Sequence, residues 1–404
     1  MWTEFNQLAN ASPNIVNLGQ GFPDWQPPDF VQQQAIQAIQ QGFNQYTRPA
    51  GHPPLVNTLA QRYTTHLGQD INPLTQVAIT VGASQALYLT LQSILTPQDK
   101  VLLLEPAFDL YYKQVQLTGA TVTPVPLTFQ NQTFTLDPSA LEQAITPQTK
   151  VLILNSPHNP TGKVFSRKEL EDIAHILRKH PHVICISDEV YKYIVHCPRA
   201  THVHFASLPD MFERTITLSS AGKTFSITGW QIGWCLGPEK LIQPIQALLP
   251  CVQFCAATPM QQALANILNI ADEPYQGCQS YYEYLQQVYR RKKKILVDAI
   301  QPAGLTPIQS QGGFFLMADT THFRETVPTH FTTQNTPAAP HMTPDWALAR
   351  YLAIEKNLVA IPASPFYSER NKHLAQAQLR LAFCKSDDTL AQAKVALAHK
   401  KAQR

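Results

Sequence analysis

The chain has 404 residues, 44% hydrophobic and 15% charged, with a net charge of +3. That composition suits a large-cored globular protein of two or more domains, or one large α/β unit with an appendage. The charge is too small to argue for nucleic acid or a membrane surface as a partner. No run approaches the roughly 18 apolar residues of a spanning helix.

Residues 77–81 read as a strand and 83–95 as a helix. The alternation continues with a strand at 100–104, a helix at 108–117, a strand at 151–155, a helix at 167–179 and a strand at 183–187. Further strands are expected at 215–218 and 232–236. Short β-branched runs alternating with helices predict an α/β fold with a mainly parallel, doubly wound sheet. Ligands of such sheets bind beyond the carboxyl ends of strands, where Asn155, Asp188 and Ser219 fall. Residues 275–300 read as one long helix leading out of the sheet. Its five consecutive basic residues, Arg290 to Lys294, read as a solvated face. Strands at 313–317 and 379–383, with helices near 344–356 and 387–399, predict a second, smaller α+β domain. Residues 326–344 are rich in Thr, Pro, Gln and His and read as an exposed loop or insertion.

The seven Cys are scattered and show no zinc-ligand spacing, so reduced thiols, a cytoplasmic location and no metal site are expected. Met1-Trp2-Thr3-Glu4-Phe5-Asn6 has no basic start before an apolar stretch, so no signal peptide is read.

Polar residues cluster at the strand ends. Thr80-Val81-Gly82-Ala83-Ser84 is a strand-to-helix turn whose free N–H groups and helix dipole make an anion site, with the Ser84 hydroxyl as a further donor. Small residues are also common at helix starts. Glu105-Pro106-Ala107-Phe108 offers an aromatic ring at the next strand end, which a core Phe would equally explain. In Asn155-Ser156-Pro157-His158-Asn159-Pro160-Thr161-Gly162, two X-Pro bonds and a Gly fix the loop and aim the Asn159 amide. Turn chemistry accounts for the Pro and Gly but not for both Asn. Asp188 ends the following strand, with Tyr191 three residues on. A carboxylate there is costly unless paired, and a protonated ring nitrogen would pair it; a helix N-cap is the other reading.

Leu218-Ser219-Ser220-Ala221-Gly222-Lys223-Thr224 sets one amine among small residues. Desolvation lowers an ammonium pKa toward neutrality, and a neutral amine forms a Schiff base with an aldehyde. A surface turn lysine carries the same residues. The Gly-Lys-Thr also resembles the end of a nucleotide phosphate loop, but that motif needs Gly where Thr217 stands, which opposes an ATPase. Arg380 lies in an apolar strand and needs an anion, supplied either by a structural salt bridge or by a substrate carboxylate. An amine, an acid for a pyridinium, a phenol and an amide for a phenolate, an anion cradle and an Arg for a carboxylate are what pyridoxal phosphate and an amino acid require.

On these motifs the chain resembles the class I aminotransferases of fold type I, and among them the kynurenine, glutamine–phenylpyruvate and methionine aminotransferases. The resemblance runs from Trp2 to the last helix and rests also on Asn17 to Asp24, Asn44-Gln45-Tyr46 and Thr228-Gly229-Trp230. It implies that Lys223 carries pyridoxal phosphate as a Schiff base and moves the substrate Cα proton. Asp188 would pair the ring nitrogen, Tyr191 and Asn159 the ring oxygen, and Phe108 would stack on the ring. The Ala83 and Ser84 amides and Ser220 would hold the phosphate, reached also by Tyr46 from the second subunit of a homodimer. Arg380, with Asn159 and the Gly21 backbone, would bind the substrate carboxylate, and Trp2 would close over it. The implied substrates are an amino acid of methionine, glutamine, phenylalanine or kynurenine type and a 2-oxo acid, in ping-pong order.

The implied domains are an N-terminal arm that begins the small domain (1–44), a large cofactor-binding domain (45–280) and a small C-terminal domain (281–404). One departure stands out: where relatives follow Gly-Trp with an Arg or Lys for the phosphate, this chain has Gln231. Some relatives also carry an aromatic residue where Ser84 stands. A carbon–sulfur β-lyase shares the fold and most of the cofactor contacts and is the nearest competitor. A non-catalytic amino-acid sensor behind a DNA-binding segment is the alternative of another class, opposed by a family pattern that begins at Trp2, and a degenerate structural homologue is opposed by the presence of Lys223, Asp188 and Arg380 together.

Overall fold

The computed structural model describes residues 1–398, apart from the side chain of Arg324. An N-terminal helix, α1 (Trp2–Ala9), precedes the main sheet. The sheet has seven strands: β1 (Val77–Val81), β2 (Lys100–Glu105), β3 (Thr121–Pro126), β4 (Thr149–Asn155), β5 (Ile184–Asp188), β6 (Thr215–Ser220) and β7 (Ile232–Leu236). They lie in the order β1-β7-β6-β5-β4-β2-β3. Every pair is parallel except those of β7, which runs antiparallel to β1 and β6. Helices cover both faces, so central strands such as β4 are buried along most of their length and read as continuous apolar runs.

Register sets the site. Asn155 pairs with Asp188, and Asp188 with Leu218, so β4 and β5 finish level at their carboxyl ends and β6 runs two residues further, to Ser220. Two helices begin at the same edge: α2 (Gly82–Ile94) directly after β1, and α3 (Asp109–Leu117) just beyond β2.

A second, antiparallel sheet comprises β8 (Thr306–Pro307), β9 (Phe315–Asp319), β10 (Ile361–Pro362) and β11 (Gln378–Ala382), in the order β8-β9-β11-β10. A short parallel pairing of Val16–Asn17 with Leu358–Val359 brings the start of the chain beside this part. The fold is thus α/β, a large doubly wound sheet with a smaller sheet beside it, as expected. Among the described residues, no helix is long and apolar enough to cross a membrane.

Three local expectations change. The long helix α4 spans Tyr281–Ile300 rather than 275–300. Gln276 and Gly277 both take positive φ, which breaks the helix, and the Ser280 hydroxyl accepts the Glu283 N–H as a cap. The basic run is a solvated face only in part: Arg290, Arg291 and Lys294 are exposed, while Lys292 is buried. Leu285, Tyr289, Lys292 and Leu296 are all buried, so Lys292 falls on the apolar stripe of α4. Lys292 donates to the Lys385 carbonyl and to Asp387, Arg291 also reaches Asp387, and Arg290 and Lys293 donate to the carbonyls of His196 and Ser310. Residues 290–293 therefore strap α4 to its neighbours, while Lys294 pairs with Asp298 on the same helix.

Residues 326–344 are partly docked: Phe331 and Ala339 are buried, Thr329–Thr333 is a short helix, and Thr336 donates to Glu4 on α1. Helix α5 (Pro344–Glu355) follows, and the last helix, α6, runs over Asp387–Ala398. The expected final residue of α6, His399, lies outside the described residues.

Candidate active site

A cavity of about 320 Å³ opens at the carboxyl ends of β4, β5 and β6, and β11 closes one side. Its lining contains two cations, Lys223 and Arg380, and one carboxylate, Asp188.

Lys223 stands in the turn after β6. Its Nζ donates to the Gly21 carbonyl at 3.1 Å and lies 5.4 Å from the Phe314 ring centre. Desolvation lowers its pKa below the ordinary lysine value, and the charge of Arg380 adds to this, while Cys384 and Asp188 oppose it. The turn-lysine reading fails because the amine points into the cavity.

Asp188 lines the same cavity. No helix starts at this position, so it is not an N-cap. Its Oδ2 accepts from the Tyr111 hydroxyl at 2.6 Å, and its Oδ1 from the Val190 N–H at 3.2 Å. Desolvation raises its pKa against the pull of these two bonds. Tyr191 is buried edge-on to Phe314 at 5.1 Å, and desolvation raises its pKa as well.

Arg380, opposite Met317 in the β9–β11 pair, is only 1% exposed. Its Nη1 donates to Asn159 Oδ1 at 3.0 Å and its Nη2 to the Gly19 carbonyl at 2.9 Å, while its Nε has no partner. The rings of Phe315, Phe366 and Trp2 surround it at 3.9, 5.0 and 5.3 Å. No carboxylate pairs with it among the described residues. Burial pushes its pKa down to about 10. The two Asn that turn chemistry left unexplained form a relay: the Asn159 N–H donates to Asn155 Oδ1, and Asn155 Nδ2 donates to the Asp188 carbonyl. One chain of hydrogen bonds therefore joins Arg380 to the strand end that bears Asp188.

The opposite end is the start of α2. Gly82 has φ +72°, and a Cβ there would lie 2.5 Å from Gln231 Oε1. A Cβ on Gly233 would lie 2.4 Å from the Gly82 carbonyl carbon. Backbone meets backbone, and Ala83, Ser84, Ser220 and Thr228 line the cavity beside the first N–H groups of α2, which have no partner within the helix. Gln231 turns back to donate to the Thr228 carbonyl. No Lys or Arg lines this end.

Phe108 lines the cavity, its ring edge-on to Tyr111 at 5.8 Å. Trp2 lines it too, its indole N–H shared by the two Asp109 carboxylate oxygens at 3.1 and 3.2 Å. At Gly21 a Cβ would strike the Phe315 ring at 2.3 Å, so only Gly lets this backbone reach the site. Tyr46 is the exception. It is 82% exposed, packs on Phe254 at 4.7 Å and does not line the cavity of its own chain. The residue reading missed Tyr111, although it sits one helical turn after Phe108. It also missed Phe315 and Phe366, which nothing in the sequence distinguishes from core rings.

The family model for aminotransferase class I and II matches residues 13–397. The kynurenine–oxoglutarate transaminase of Dictyostelium discoideum is 39% identical over 97% of this chain and 92% of its own. Among solved structures, N-succinyldiaminopimelate aminotransferase from Mycobacterium tuberculosis superposes with a TM-score of 0.86 at 35% identity, covering 98% of this chain and 96% of that one. YbdL of Escherichia coli, with a methionine aminotransferase function, gives 0.85 at 29% identity over 98% and 95%. The chain belongs to the class I and II aminotransferases and is a pyridoxal-phosphate-dependent transaminase of fold type I.

Proposed function

We propose that this transaminase moves the amino group of an apolar, sulfur-containing or aromatic L-amino acid, of methionine, glutamine, phenylalanine or kynurenine type, to a 2-oxo acid. The carrying observation is Arg380, a buried cation with no carboxylate, in a cavity whose only other cation is Lys223. One guanidinium takes the α-carboxylate. No second cation lines the wall to take a side-chain carboxylate. Trp2, Phe22, Leu110 and Phe315 offer apolar surface instead.

The residues suit the cofactor on their chemistry. Bound pyridoxal phosphate supplies an aldehyde carbon for the amino group and an electron-withdrawing ring that stabilises negative charge at the substrate Cα. Asp188 holds a proton on the ring nitrogen, and Tyr191 and Asn159 hydrogen-bond the ring oxygen. Phe108 covers the ring. The Ala83 and Ser84 amides with Ser220 hold the phosphate at the start of α2. Lys223, whose pKa burial holds below the ordinary lysine value, would bind the cofactor aldehyde and, once released, hold the proton of the substrate Cα as general base and acid. Arg380 and Asn159, with the Gly21 backbone, orient the carboxylate, and Trp2 closes over the substrate. An amino acid and a 2-oxo acid that use the same Arg380 in turn would give ping-pong kinetics.

We further read the enzyme as a cytoplasmic homodimer in which Tyr46 crosses to the neighbouring phosphate. In support, Tyr46, Phe254, Val252 and Val81 are exposed apolar residues close to the start of α2. We also keep the division at 1–44, 45–280 and 281–404, which separates the two sheets at α4. A donor–acceptor panel read by oxo-acid formation tests the substrate class. Parallel lines in double-reciprocal plots and a preference for uncharged donors are expected. Pyruvate and ammonia released from cystathionine without an oxo-acid acceptor would instead make the enzyme a β-lyase.

A further inference from the structure

Asp188 faces the active-site cavity, but Glu189, next in the chain, does not. Glu189 is fully buried, its N–H bound to the Leu218 carbonyl at 2.8 Å. Its Oε1 accepts from Ser187 at 2.9 Å. Its Oε2 lies 2.5 Å from His204 Nδ1 and 3.3 Å from His202 Nε2. Both imidazoles are nearly enclosed, with side chains 12% and 8% exposed, and the three ligand atoms lie within 4.8 Å of one another. A cavity of about 370 Å³ adjoins the group, lined in part by His66, Lys192, Cys197 and Arg290.

His202 is the telling residue. Neither of its ring nitrogens makes a hydrogen bond, and both are shut off from solvent. A neutral imidazole has one donor and one acceptor nitrogen, so either tautomer leaves buried polar groups unmet, which is costly. At 3.3 Å its Nε2 is poorly aligned for a hydrogen bond to Glu189. Yet metal–nitrogen and metal–oxygen bonds of about 2.0–2.1 Å in a tetrahedral site set ligand atoms roughly 3.3 Å apart. Two imidazoles and a carboxylate are also a donor set that suits zinc.

We propose that Glu189, His202 and His204 bind a divalent transition ion of the zinc type, with a water from the adjoining cavity as fourth ligand. The short contact of His204 with Glu189 is a hydrogen bond that the entering ion replaces: the neutral imidazole carries its proton on Nε2 and turns Nδ1 to the ion, and the pair opens to ligand spacing. The ion competes with the Lys192 ammonium, which lines the same cavity but points to the Tyr63 hydroxyl at 3.1 Å. The site is structural rather than catalytic: it locks the His202-Val203-His204 segment onto the strand end that carries Asp188. Its sequence signal is a His-x-His spacing on an extended segment, but the carboxylate lies 13 residues before His202, a spacing that matches no zinc motif.

Chelator-treated holoenzyme titrated with Zn²⁺ by calorimetry tests this. One ion per chain is expected. His202→Gln and His204→Gln should each weaken binding at least about 10-fold, in line with loss of a metal ligand or its support, while a His180→Gln/His182→Gln double variant at the surface leaves it unchanged. Substoichiometric binding, or binding insensitive to His202→Gln and His204→Gln, overturns the proposal. Should those variants not fold, Co²⁺ added to the wild type decides. Intense visible bands of a tetrahedral nitrogen-ligated ion support the site, and the spectrum of the hydrated ion alone refutes it.

Discussion

Arg380 meets two carbonyl oxygens and three rings, and no carboxylate. Lys in its place keeps the charge but loses the planar fork. Arg380→Lys should therefore lower kcat/KM for every amino donor by about 10²–10³-fold, the cost of one or two charged hydrogen bonds, with an unchanged circular dichroism spectrum. Lys223 makes a claim about pH. Because burial lowers its folded pKa, the unfolded chain binds more protons between that value and the ordinary 10.5, and the apoprotein gains stability as pH rises through the window. Lys223→Met removes this penalty. The variant apoprotein should be the more stable below the folded pKa, and its advantage should vanish toward pH 10.5 in denaturant melts. Gln231 leaves the α2 end of the cavity, the proposed phosphate site, without a cation. Gln231→Lys should tighten pyridoxal phosphate about 3–10-fold, the difference between a neutral and a charge-assisted contact. An unchanged dissociation constant would show that the phosphate does not sense this position.

At the scale of elements, α1 bridges the two parts of the molecule. Glu4 pairs with Arg350 on α5 and accepts from Trp346 at 3.3 Å and Thr336 at 3.0 Å, while Trp2 is held by Asp109 on α3. Glu4→Ala should free α1, raise KM about 3–10-fold, as expected for a half-buried ion pair and its hydrogen bonds, and speed protease cleavage near the N-terminus. The strand ends were legible in the sequence because central parallel strands are apolar throughout, so a polar residue that ends one stands out. Asn155 and Asp188 showed themselves in this way; Ser219 did not, since β6 runs on to Ser220, which lines the cavity in its place. Ring neighbours did not. Phe315, on the strand beside β11, and Phe366, just after β10, take their place around Arg380 only once the second sheet has assembled. The burial of Lys292 was hidden by four basic neighbours, although the helical period put it on the apolar stripe of α4. The break before α4 was written in Gln276 and Gly277, but apolar and aromatic residues on both sides masked it.

For the whole molecule, the exposed rings of Tyr46 and Phe254 beside the start of α2 predict a dimer in sedimentation, at twice the 45.2 kDa chain mass. A monomer that retains full activity would remove Tyr46 from the site. The central claim is that Lys223 holds pyridoxal phosphate in a cavity where Arg380 presents the amino acid, and that the amino group waits there for an oxo acid. Absorption titration of the holoenzyme tests this most directly. A visible cofactor band is expected that disappears on adding methionine or kynurenine, returns on adding a 2-oxo acid, and is absent in Lys223→Ala. A wild-type enzyme with no such band, or one whose band returns after the amino acid without any oxo acid, would contradict that claim.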